Sequence, residues 1–545
     1  MTHPIPHADV IVVGAGFAGL YTVIHAARRG LTVIGIEAGA DVGGTWYWNR
    51  YPGARCDVES IDYSYSFDDE LQQEWRWSER YATQPEILRY LSHVADRFDA
   101  RRRFRFATRV VAAEWDDGDA QRWTVATDAG DRISASWLVM ATGSLSTPLL
   151  PDIPGRESFG GEVLMTAAWP HEPVDLHGKR VGVIGTGSSG IQSIPLIADQ
   201  AAELVVYQRT ANFSVPALNR ELDDDEWTHA LEEYPHRRQV SWDSLAGSPW
   251  TAHDVPYEEA DEQERARVFE DRWTRGGVLF GKAFPRQTVD IEVNDAARRF
   301  FEGKLAEIVR DPQTLDDLTP RDHAIGTKRI CTDSGYFDTF NRPHVTLVNL
   351  RRDPIIEITA EGVRTESGFR PLEVIVFATG FDALTGALTS IDIRGRSGRL
   401  LRDEWKGGVV TNLGMAVPGF PNLIMLNGPG SPTVLTNMAI GSEQQGDFAL
   451  RLVDHTIAHG YTSVETREDA ARAWTDDIAV RASRTLFAGA RSWYTGANVP
   501  GKAAGFLPFI GGFRPYIHAC DRVADAGYEG FVFSVVATEP APASA

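Results

Sequence analysis

The feature that most constrains the fold of this chain is a glycine-rich turn between a short apolar strand and a helix. The β-branched run Ala8–Val13 is followed by Gly14, Gly16 and Gly19, then by a helix-compatible segment and the apolar strand Leu31–Ile36. Gly14 permits a tight turn, Gly16 lets the backbone approach a pyrophosphate, and Gly19 lets helix and strand pack closely. The helix N-terminus adds free N–H groups for an anion. The pattern predicts a dinucleotide-binding unit.

The same pattern occurs a second time, between the predicted strands Arg180–Ile184 and Glu203–Tyr207. Its candidate cofactor-binding residues are Gly185, Gly187, Ser188 and Gly190. One such match on its own is weak evidence, because a turn between a strand and a helix can contain glycines by chance. Two matches with strands on both sides predict an α/β fold with two Rossmann-like dinucleotide-binding domains.

The residue that closes each second strand predicts which dinucleotide binds. Glu37 lies 23 positions after Gly14, where an acid accepts hydrogen bonds from ribose hydroxyls and disfavours NADP. In the second unit Arg209 lies 24 positions after Gly185, with Thr210 beside it. An arginine and a hydroxyl suit a ribose 2′-phosphate, although a surface arginine at a strand end is the simpler alternative. We predict FAD in the first unit and NADPH in the second, a pair that moves a hydride from nicotinamide to flavin.

The domain organisation follows from where apolar strands end in small residues. Met140–Gly143 and Phe377–Asp382 both do so, and as a pair they resemble the points at which flavoprotein chains cross between FAD and NADPH domains. Prolines stiffen the connection at 144–154. The predicted divisions are a discontinuous FAD-binding domain at 1–143 and 380–545, an NADPH-binding domain at 152–216 and 326–379, and a helical insertion in the NADPH domain at 217–325.

Composition excludes several classes of partner. The formal net charge of −21 disfavours nucleic acid and anionic membrane surfaces, which reward basic proteins. The three cysteines, Cys56, Cys331 and Cys520, are far apart and lack metal-ligand spacing, so we predict no metal site and no disulfide framework. A reducing cytoplasm fits this usage. No stretch reaches the length of a membrane span, and the oligomeric state is left open.

One segment resembles a known family in detail. From Gly43 to Ser60 the chain reads GGTWYWNRYPGARCDVES, which is similar to the flavin-contacting segment of type I Baeyer-Villiger monooxygenases. The similarity continues through Gly326–Arg329, Gly428–Pro432 and Ser492–Lys502, and it spans nearly the whole chain outside the helical insertion. Within the family, the chain looks closest to the branch that oxidises aryl ketones and steroids, partly through Ser431–Met438.

The resemblance implies a function. A member of this family uses NADPH and O2 to convert a small-molecule ketone to an ester or lactone through a flavin C4a-peroxide. Three alternatives stay open: an N- or S-oxygenating flavin monooxygenase, an NADPH oxidase that releases hydrogen peroxide, and a non-catalytic FAD/NADPH redox sensor. Retention of Arg329 and Asp57 counts against heteroatom oxygenation, which needs no arginine to hold a peroxide anion.

The resemblance also assigns site residues. Arg329 matches the guanidinium that stabilises the peroxide anion and the tetrahedral oxyanion, since it is always protonated. Asp57 matches the acid that fixes this guanidinium, and Arg55 lies two residues before it as a further catalytic candidate. Lys328 matches a side chain that grips the 2′-phosphate, and Trp493 one that contacts the nicotinamide ribose. The remaining flavin-binding candidates are Gly44, Thr45, Trp46 and Tyr63.

One position departs from the family pattern. Met165 stands where the motif between the domains normally has histidine, within the stretch from Phe159 to Pro170 that otherwise matches. A thioether is only a weak hydrogen-bond acceptor, so we expect looser coupling of NADPH oxidation to oxygenation. We expect Met165 to lie in a loop and to pack against Val163 and Leu164.

Overall fold

The computed structural model describes residues 5–535. The α-helices of this part of the chain are α1 (Phe17–Arg28), α2 (Thr45–Trp48), α3 (Asp69–Glu74), α4 (Gln84–Arg97), α5 (Ser188–Ala198), α6 (Asp224–Asp243), α7 (Glu262–Arg275), α8 (Ile291–Ile308), α9 (Pro312–Leu318), α10 (Tyr336–Thr339), α11 (Gly386–Thr389), α12 (Leu401–Glu404), α13 (Met438–Ala458), α14 (Glu468–Ser483) and α15 (Phe513–Asp525).

The strands are β1 (His7–Val13), β2 (Val33–Ile36), β3 (Phe104–Arg105), β4 (Val110–Trp115), β5 (Trp123–Thr127), β6 (Arg132–Met140), β7 (Glu162–Met165), β8 (Arg180–Ile184), β9 (Glu203–Gln208), β10 (Ser214–Pro216), β11 (Cys331–Asp333), β12 (Val345–Asn349), β13 (Ile355–Thr359), β14 (Gly362–Thr365), β15 (Gly368–Pro371), β16 (Val374–Phe377), β17 (Asp392–Arg394), β18 (Leu423–Met425), β19 (Ser463–Thr466) and β20 (Phe531–Ser534).

The first large sheet is mixed, with the strand order β17-β4-β5-β6-β1-β2-β3. β1 runs parallel to both β2 and β6, and its residues Val10–Val13 are buried, as expected for a parallel strand covered on both faces. β6 is long enough to pair antiparallel with β5 at its start and parallel with β18 at its end. Strands β17 and β18, from the C-terminal part of the chain, therefore complete the sheet that β1 begins.

The second large sheet has the order β12-β9-β8-β16-β7 and is parallel throughout. α5 connects β8 to β9, which makes a strand-helix-strand unit of the same kind as β1-α1-β2. Both units are dinucleotide-binding Rossmann units, so the predicted α/β fold class is confirmed.

The predicted position of Met165 in a loop is wrong, and so is its predicted packing against Leu164. Met165 is the last residue of the edge strand β7, not part of a loop, and it pairs with Phe377 in β16. Successive side chains of a strand point to opposite faces, so Leu164 belongs to the core on the other side of the sheet. Val163 is 47% exposed. Met165 packs instead against the core that contains Ile184 and Phe377.

The insertion is helical, as predicted, but it does not pack on the second unit alone. α7 and α8 contribute Phe269 and Phe301 to the core of the second sheet. α6 contributes Trp227 and Tyr234 to the core of the first. The sequence does not show this division, because it depends on which core receives each apolar helix face.

Candidate active site and nucleotide sites

The first glycine-rich turn is closed by its own backbone. Gly14 has φ = 108°, and a Cβ there would overlap the carbonyl oxygen of Ala141. A Cβ on Gly19 would overlap the carbonyl oxygen of Gly14, so α1 packs directly against the end of β1. These are the tight turn and the close helix-strand packing that the sequence predicts.

The N-terminus of α1 meets the Gly43–Gly44 backbone. The N–H of Gly43 donates to the carbonyl of Ala15 at 2.9 Å, and a Cβ built on Gly44 would lie 2.7 Å from the Cα of Gly16. Gly16 caps α1 with no side-chain hydrogen bond. Among residues 5–535, no side chain accepts a hydrogen bond from the first-turn N–H groups of α1, which leaves them free for an anion.

Glu37 closes this site at the end of β2. Its side chain is buried and accepts hydrogen bonds from the backbone N–H groups of Ala15 at 2.7 Å and Gly39 at 2.6 Å. Burial raises the pKa of the Glu37 carboxyl, against the opposing effect of the two N–H donors. The carboxylate is thus fixed beside the α1 N-terminus, where a ribose would lie.

The segment after Gly44 supplies aromatic packing. Thr45 is exposed at the start of α2, while Trp46 is buried and donates from its indole N–H to the hydroxyl of Tyr63 at 3.2 Å. The Tyr63 ring lies edge-on to Phe17 of α1, with 5.0 Å between ring centroids. This packing fixes the 43–63 region against the glycine-rich turn.

The second glycine-rich turn has the same backbone but more space. Gly185 has φ = 111°, and Cβ atoms on Gly185 and Gly190 would overlap carbonyl oxygens, as in the first turn. A Cβ on Gly187 would meet nothing within 4 Å, and Gly187 caps α5 with no side-chain hydrogen bond. Ser188, the first residue of α5, is exposed. This helix N-terminus is open to a ligand.

Two cations beside the open turn, Arg209 and Lys328, are candidates to bind an anion. Neither Arg209 nor Lys328 forms a hydrogen bond or an ion pair with any residue between 5 and 535. Burial lowers the pKa of Lys328; Asp322 opposes this effect, whereas the positive charges of Arg351 and Arg209 add to it. Unpaired cations so close together favour a bound anion, which fits a 2′-phosphate.

Sequence reasoning missed Arg351 at this site. β12 pairs with β9 in parallel, with Asn349 opposite Gln208, so the residues that follow the two strands meet at one edge of the sheet. Arg351 Nη2 lies 3.5 Å from the hydroxyl of Thr210 and 2.5 Å from Asp322 Oδ2. A prediction that β12 pairs with β9 would have pointed to Arg351. Strand pairing is a long-range contact, however, and no local sequence motif shows it.

Arg329 and Asp57 meet as predicted. The guanidinium donates from Nε to Asp57 Oδ2 at 2.5 Å and from Nη2 to Oδ1 at 2.6 Å, and its Nη1 donates to the carbonyl of Val434 at 2.8 Å. Burial opposes the charge on Arg329, but the Asp57 carboxylate outweighs burial and raises the pKa of the guanidinium above its ordinary value. Arg329 is therefore a fixed and permanent positive charge.

Two neighbours of Arg329 were not anticipated. Val434 supplies the third acceptor from the turn before α13, and Tyr494 lies against the guanidinium. Burial raises the pKa of Tyr494 to about 12, although Arg329 opposes the shift. Trp493, which was predicted, is half-buried and packs against Leu507. No local motif marks Val434, because its backbone carbonyl carries the contact.

Arg55 is not brought to this ion pair. Its Nη1 donates to Glu79 Oε2 at 3.2 Å, and its backbone carbonyl accepts from the Gln192 amide of α5 at 3.2 Å. The catalytic role predicted for Arg55 has no support from these contacts and stays a prediction.

The residues present fit FAD and NADPH. Next to Val434, whose carbonyl binds Arg329, the hydroxyl of Thr433 is buried without a hydrogen-bond partner among the described residues. A buried hydroxyl of this kind needs a polar partner, and a polar edge of the flavin ring would supply one. In the second site, the open Gly187 backbone and the unpaired Arg209 and Lys328 match a pyrophosphate and a 2′-phosphate.

Comparison with known proteins identifies the family. The profile of the pyridine nucleotide-disulphide oxidoreductases matches residues 8–233. The chain is 41% identical over 530 residues to a Baeyer-Villiger monooxygenase of Pseudooceanicola batsensis, with 96% of each chain covered. It belongs to the type I Baeyer-Villiger monooxygenases. A solved structure of oxidized steroid monooxygenase bound to NADP superposes with a TM-score of 0.92 at 51% identity, covering 97% of this chain and 99% of that one. A complex of OTEMO with FAD and NADP gives a TM-score of 0.94 at 37% identity, covering 97% and 100%.

The protein is thus an FAD- and NADPH-dependent Baeyer-Villiger monooxygenase, and the predicted family and cofactors are confirmed. The steroid branch is among its relatives. Between residues 5 and 535, no helix of this monooxygenase is long and apolar enough to cross a membrane. The same residues contain no cluster of three or more side chains suited to a metal ion.

Proposed function

We propose that this enzyme oxidises a bulky apolar ketone, aryl or steroidal, to an ester or lactone, with Arg329 as the catalytic cation. The observation that carries the proposal is the fixed Arg329–Asp57 pair at the edge of an apolar cluster. Val434, whose carbonyl binds Arg329, packs with Phe487 and Tyr494 in that cluster. A substrate of this kind would bury its apolar body there and place its carbonyl near the guanidinium.

Arg329 acts on the substrate oxygen. A guanidinium has five N–H donors, and three of them are engaged by Asp57 and Val434. The remaining N–H groups serve Tyr494 and an oxyanion, so negative charge on the former carbonyl oxygen meets a donor already in place. FAD, when bound and reduced by NADPH, would activate O2 so that one oxygen atom can be transferred. Asp57 keeps the guanidinium from turning away between steps.

The NADPH site completes the proposal. Arg209, Thr210 and Lys328 would bind the 2′-phosphate, the N-terminus of α5 with Gly185, Gly187, Ser188 and Gly190 would bind the pyrophosphate, and Trp493 would contact the nicotinamide ribose. Gly14, Gly16, Gly19, Glu37, Gly44, Thr45, Trp46 and Tyr63 would hold FAD. The unpaired state of Arg209 and Lys328 supports the 2′-phosphate assignment.

We infer the domain division at 1–143 with 380–545, 152–216 with 326–379, and the insertion at 217–325. It is supported by β17 and β18, which return to the first sheet, and by β12 and β16, which belong to the second. We also infer a cytoplasmic enzyme with no nucleic-acid partner, which the three buried free cysteines and the acidic composition support.

The experiment that tests this function measures product and hydrogen peroxide together. Purified enzyme with FAD, NADPH and O2 is incubated with aryl, cyclic and steroidal ketones, and with a tertiary amine and a sulfide as controls. We expect esters or lactones from aryl or steroidal ketones at higher kcat/KM than from small cyclic ketones. Products from the amine or sulfide alone would instead favour heteroatom oxygenation, and peroxide without any product would favour an NADPH oxidase.

A further inference from the structure

Arg329 depends on two separate segments of the chain. Its carboxylate acceptor, Asp57, lies in the segment that follows α2, and its carbonyl acceptor, Val434, lies in the turn before α13. The direction of the guanidinium therefore depends on the spacing between these two segments.

One hydrogen bond joins the two segments directly. Asn437 Nδ2 donates to the backbone carbonyl of Asp62 at 2.7 Å, and both residues are at least 97% buried. Asp62 lies five residues after Asp57, and Asn437 three residues after Val434. Asn437 is itself held, because its Oδ1 accepts from the N–H of Ala439 and caps α13 at 3.0 Å.

The helical insertion also binds Asp62, through two arginines of α6. Arg237 of α6 donates from Nε and Nη2 to the two carboxylate oxygens of Asp62 at 2.6 and 2.7 Å. Arg238 donates to the Asp62 carbonyl at 3.2 Å. The Asp62 side chain is 1% exposed, so moving α6 away would leave a buried carboxylate without its partner, which is strongly unfavourable.

We propose that Asp62, Arg237 and Asn437 are positioning residues, which set the spacing between Asp57 and the Val434 carbonyl and so decide how much of the NADPH consumed yields ester. We call these three residues the Asp62 node. The proposal rests on the proposed role of Arg329. It also gives the insertion a function, since α6 supplies Arg237, which binds Asp62.

The node acts on the balance between two complete reactions. In the productive reaction, ketone, O2, NADPH and H⁺ give ester, NADP⁺ and water. In the wasteful reaction, O2, NADPH and H⁺ give hydrogen peroxide and NADP⁺. Both begin with hydride transfer from NADPH to flavin, a step that does not depend on the orientation of the Arg329 guanidinium. A loosened node therefore lowers the ester formed per NADPH and leaves flavin reduction unchanged.

The variant that isolates the node is Asn437→Asp. It keeps the oxygen that caps α13, and a carboxylate is favourable at a helix N-terminus, but it removes the amide donor to Asp62. The matched control is Asn422→Asp. Asn422 is equally buried, and its amide donates to the carbonyl of Ser136 at 2.9 Å while its Oδ1 accepts from Val464 at 2.8 Å. Asn422 precedes β18, and its side-chain hydrogen bonds are to Ser136, Thr462 and Val464, all outside the two segments that hold Arg329.

Each variant is purified with FAD, and four quantities are measured. They are the FAD content, the Tm, the anaerobic rate of flavin reduction by NADPH, and the ester formed per NADPH with one accepted ketone. For Asn437→Asp we expect normal FAD content, flavin reduction within about 2-fold of wild type, and ester per NADPH lower by roughly 5-fold, the equilibrium value of one buried hydrogen bond. For Asn422→Asp we expect wild-type ester per NADPH even if its Tm falls.

A readout that does not depend on activity completes the test. Hydrogen–deuterium exchange followed by mass spectrometry should show faster exchange in the peptides covering 57–65 and 433–437 for Asn437→Asp, and not for Asn422→Asp. Arg237→Lys keeps the charge but loses the bidentate contact with Asp62. We expect it to lower the ester formed per NADPH, by less than Asn437→Asp does.

The outcomes separate the two proposals. Wild-type ester per NADPH in Asn437→Asp, or an equal loss in Asn422→Asp, overturns the Asp62 node and leaves the role of Arg329 standing. A wild-type enzyme that makes no ester from any ketone overturns the proposed function, whatever the variants do. Faster exchange at 57–65 with unchanged ester yield shows a purely structural contact and also overturns the node.

Discussion

The two glycine-rich turns share a backbone but differ in what surrounds them. The first turn is enclosed: Gly16 meets Gly44, and Glu37 accepts hydrogen bonds from two backbone N–H groups. The second is open, because nothing lies within 4 Å of a Cβ on Gly187 and Arg209 has no partner among the described residues. The same motif therefore builds an enclosed site in one unit and an open site in the other, according to the residues that surround it.

The largest effect should come from the same substitution made in each turn. Gly14→Ala places a Cβ at φ = 108° against the Ala141 carbonyl, so we expect loss of FAD and of soluble folded protein. Gly187→Ala has room in the protein and should fold with FAD, while its KM for NADPH rises by roughly 10-fold because the methyl group meets the pyrophosphate. The FAD content, the Tm and the KM for NADPH are measured for both variants. Equal effects of the two substitutions would contradict the difference between the enclosed and the open turn.

Arg329→Ala tests the proposed catalytic cation, which precedes β11 and binds Asp57. FAD should stay bound and reducible by NADPH, while ester formation falls by about 100- to 1000-fold, the usual cost of removing one oxyanion donor. The measurement is single-turnover reduction alongside product yield. A variant that makes ester at the wild-type rate contradicts the assignment, and Asn422→Asp serves as a folding control.

Arg209→Ala tests the open site. The loss of one charge-assisted contact with the 2′-phosphate should shrink the preference for NADPH over NADH by about 10-fold, mainly through KM. Steady-state kinetics with both cofactors give the ratio. A wild-type enzyme that uses the two equally well would show that the unpaired arginine has no such role.

The pH dependence of NADPH binding should follow Lys328. Its pKa lies below its ordinary value, chiefly through burial, and the charged form is the one that a phosphate favours. As the pH rises through this lowered pKa, the ammonium loses its proton and KM for NADPH should increase; below it, KM should be flat. Lys328→Arg keeps its charge and should flatten the alkaline limb. A pH-independent KM in the wild type would refute the assignment.

The smallest effect should come from Met165→His. Met165 lies at the end of an edge strand of the second sheet and packs against the core that contains Ile184 and Phe377, so we expect its influence on oxygenation to be indirect. We expect the wild-type enzyme to divert a measurable share of NADPH to peroxide, and the variant to change that share without changing the product. Ester per NADPH, compared with one ketone, is the test. If only the variant made ester, the wild-type protein with Met165 would no longer catalyse Baeyer-Villiger oxidation.

The sequence predicted the parts of the molecule that local chemistry determines. The strand Arg180–Ile184 matches β8, and the predicted strand Leu31–Ile36 includes β2. Gly14 and Gly185 were assigned to tight turns and have positive φ, because no other residue adopts this backbone at low cost. The meeting of Arg329 with Asp57 was also predicted, through the resemblance of two motifs that are far apart in the chain.

Only the tertiary structure decided the contacts that join distant segments. Arg351 reaches Thr210 because β12 pairs with β9, and the carbonyl of Val434 reaches Arg329 because the turn before α13 packs beside it. Met165 faces its own core because a strand alternates its faces and β7 is a strand. Local sequence encodes turns and helix starts, whereas the partner of a backbone carbonyl or of an apolar face is set by long-range packing, which no single segment specifies.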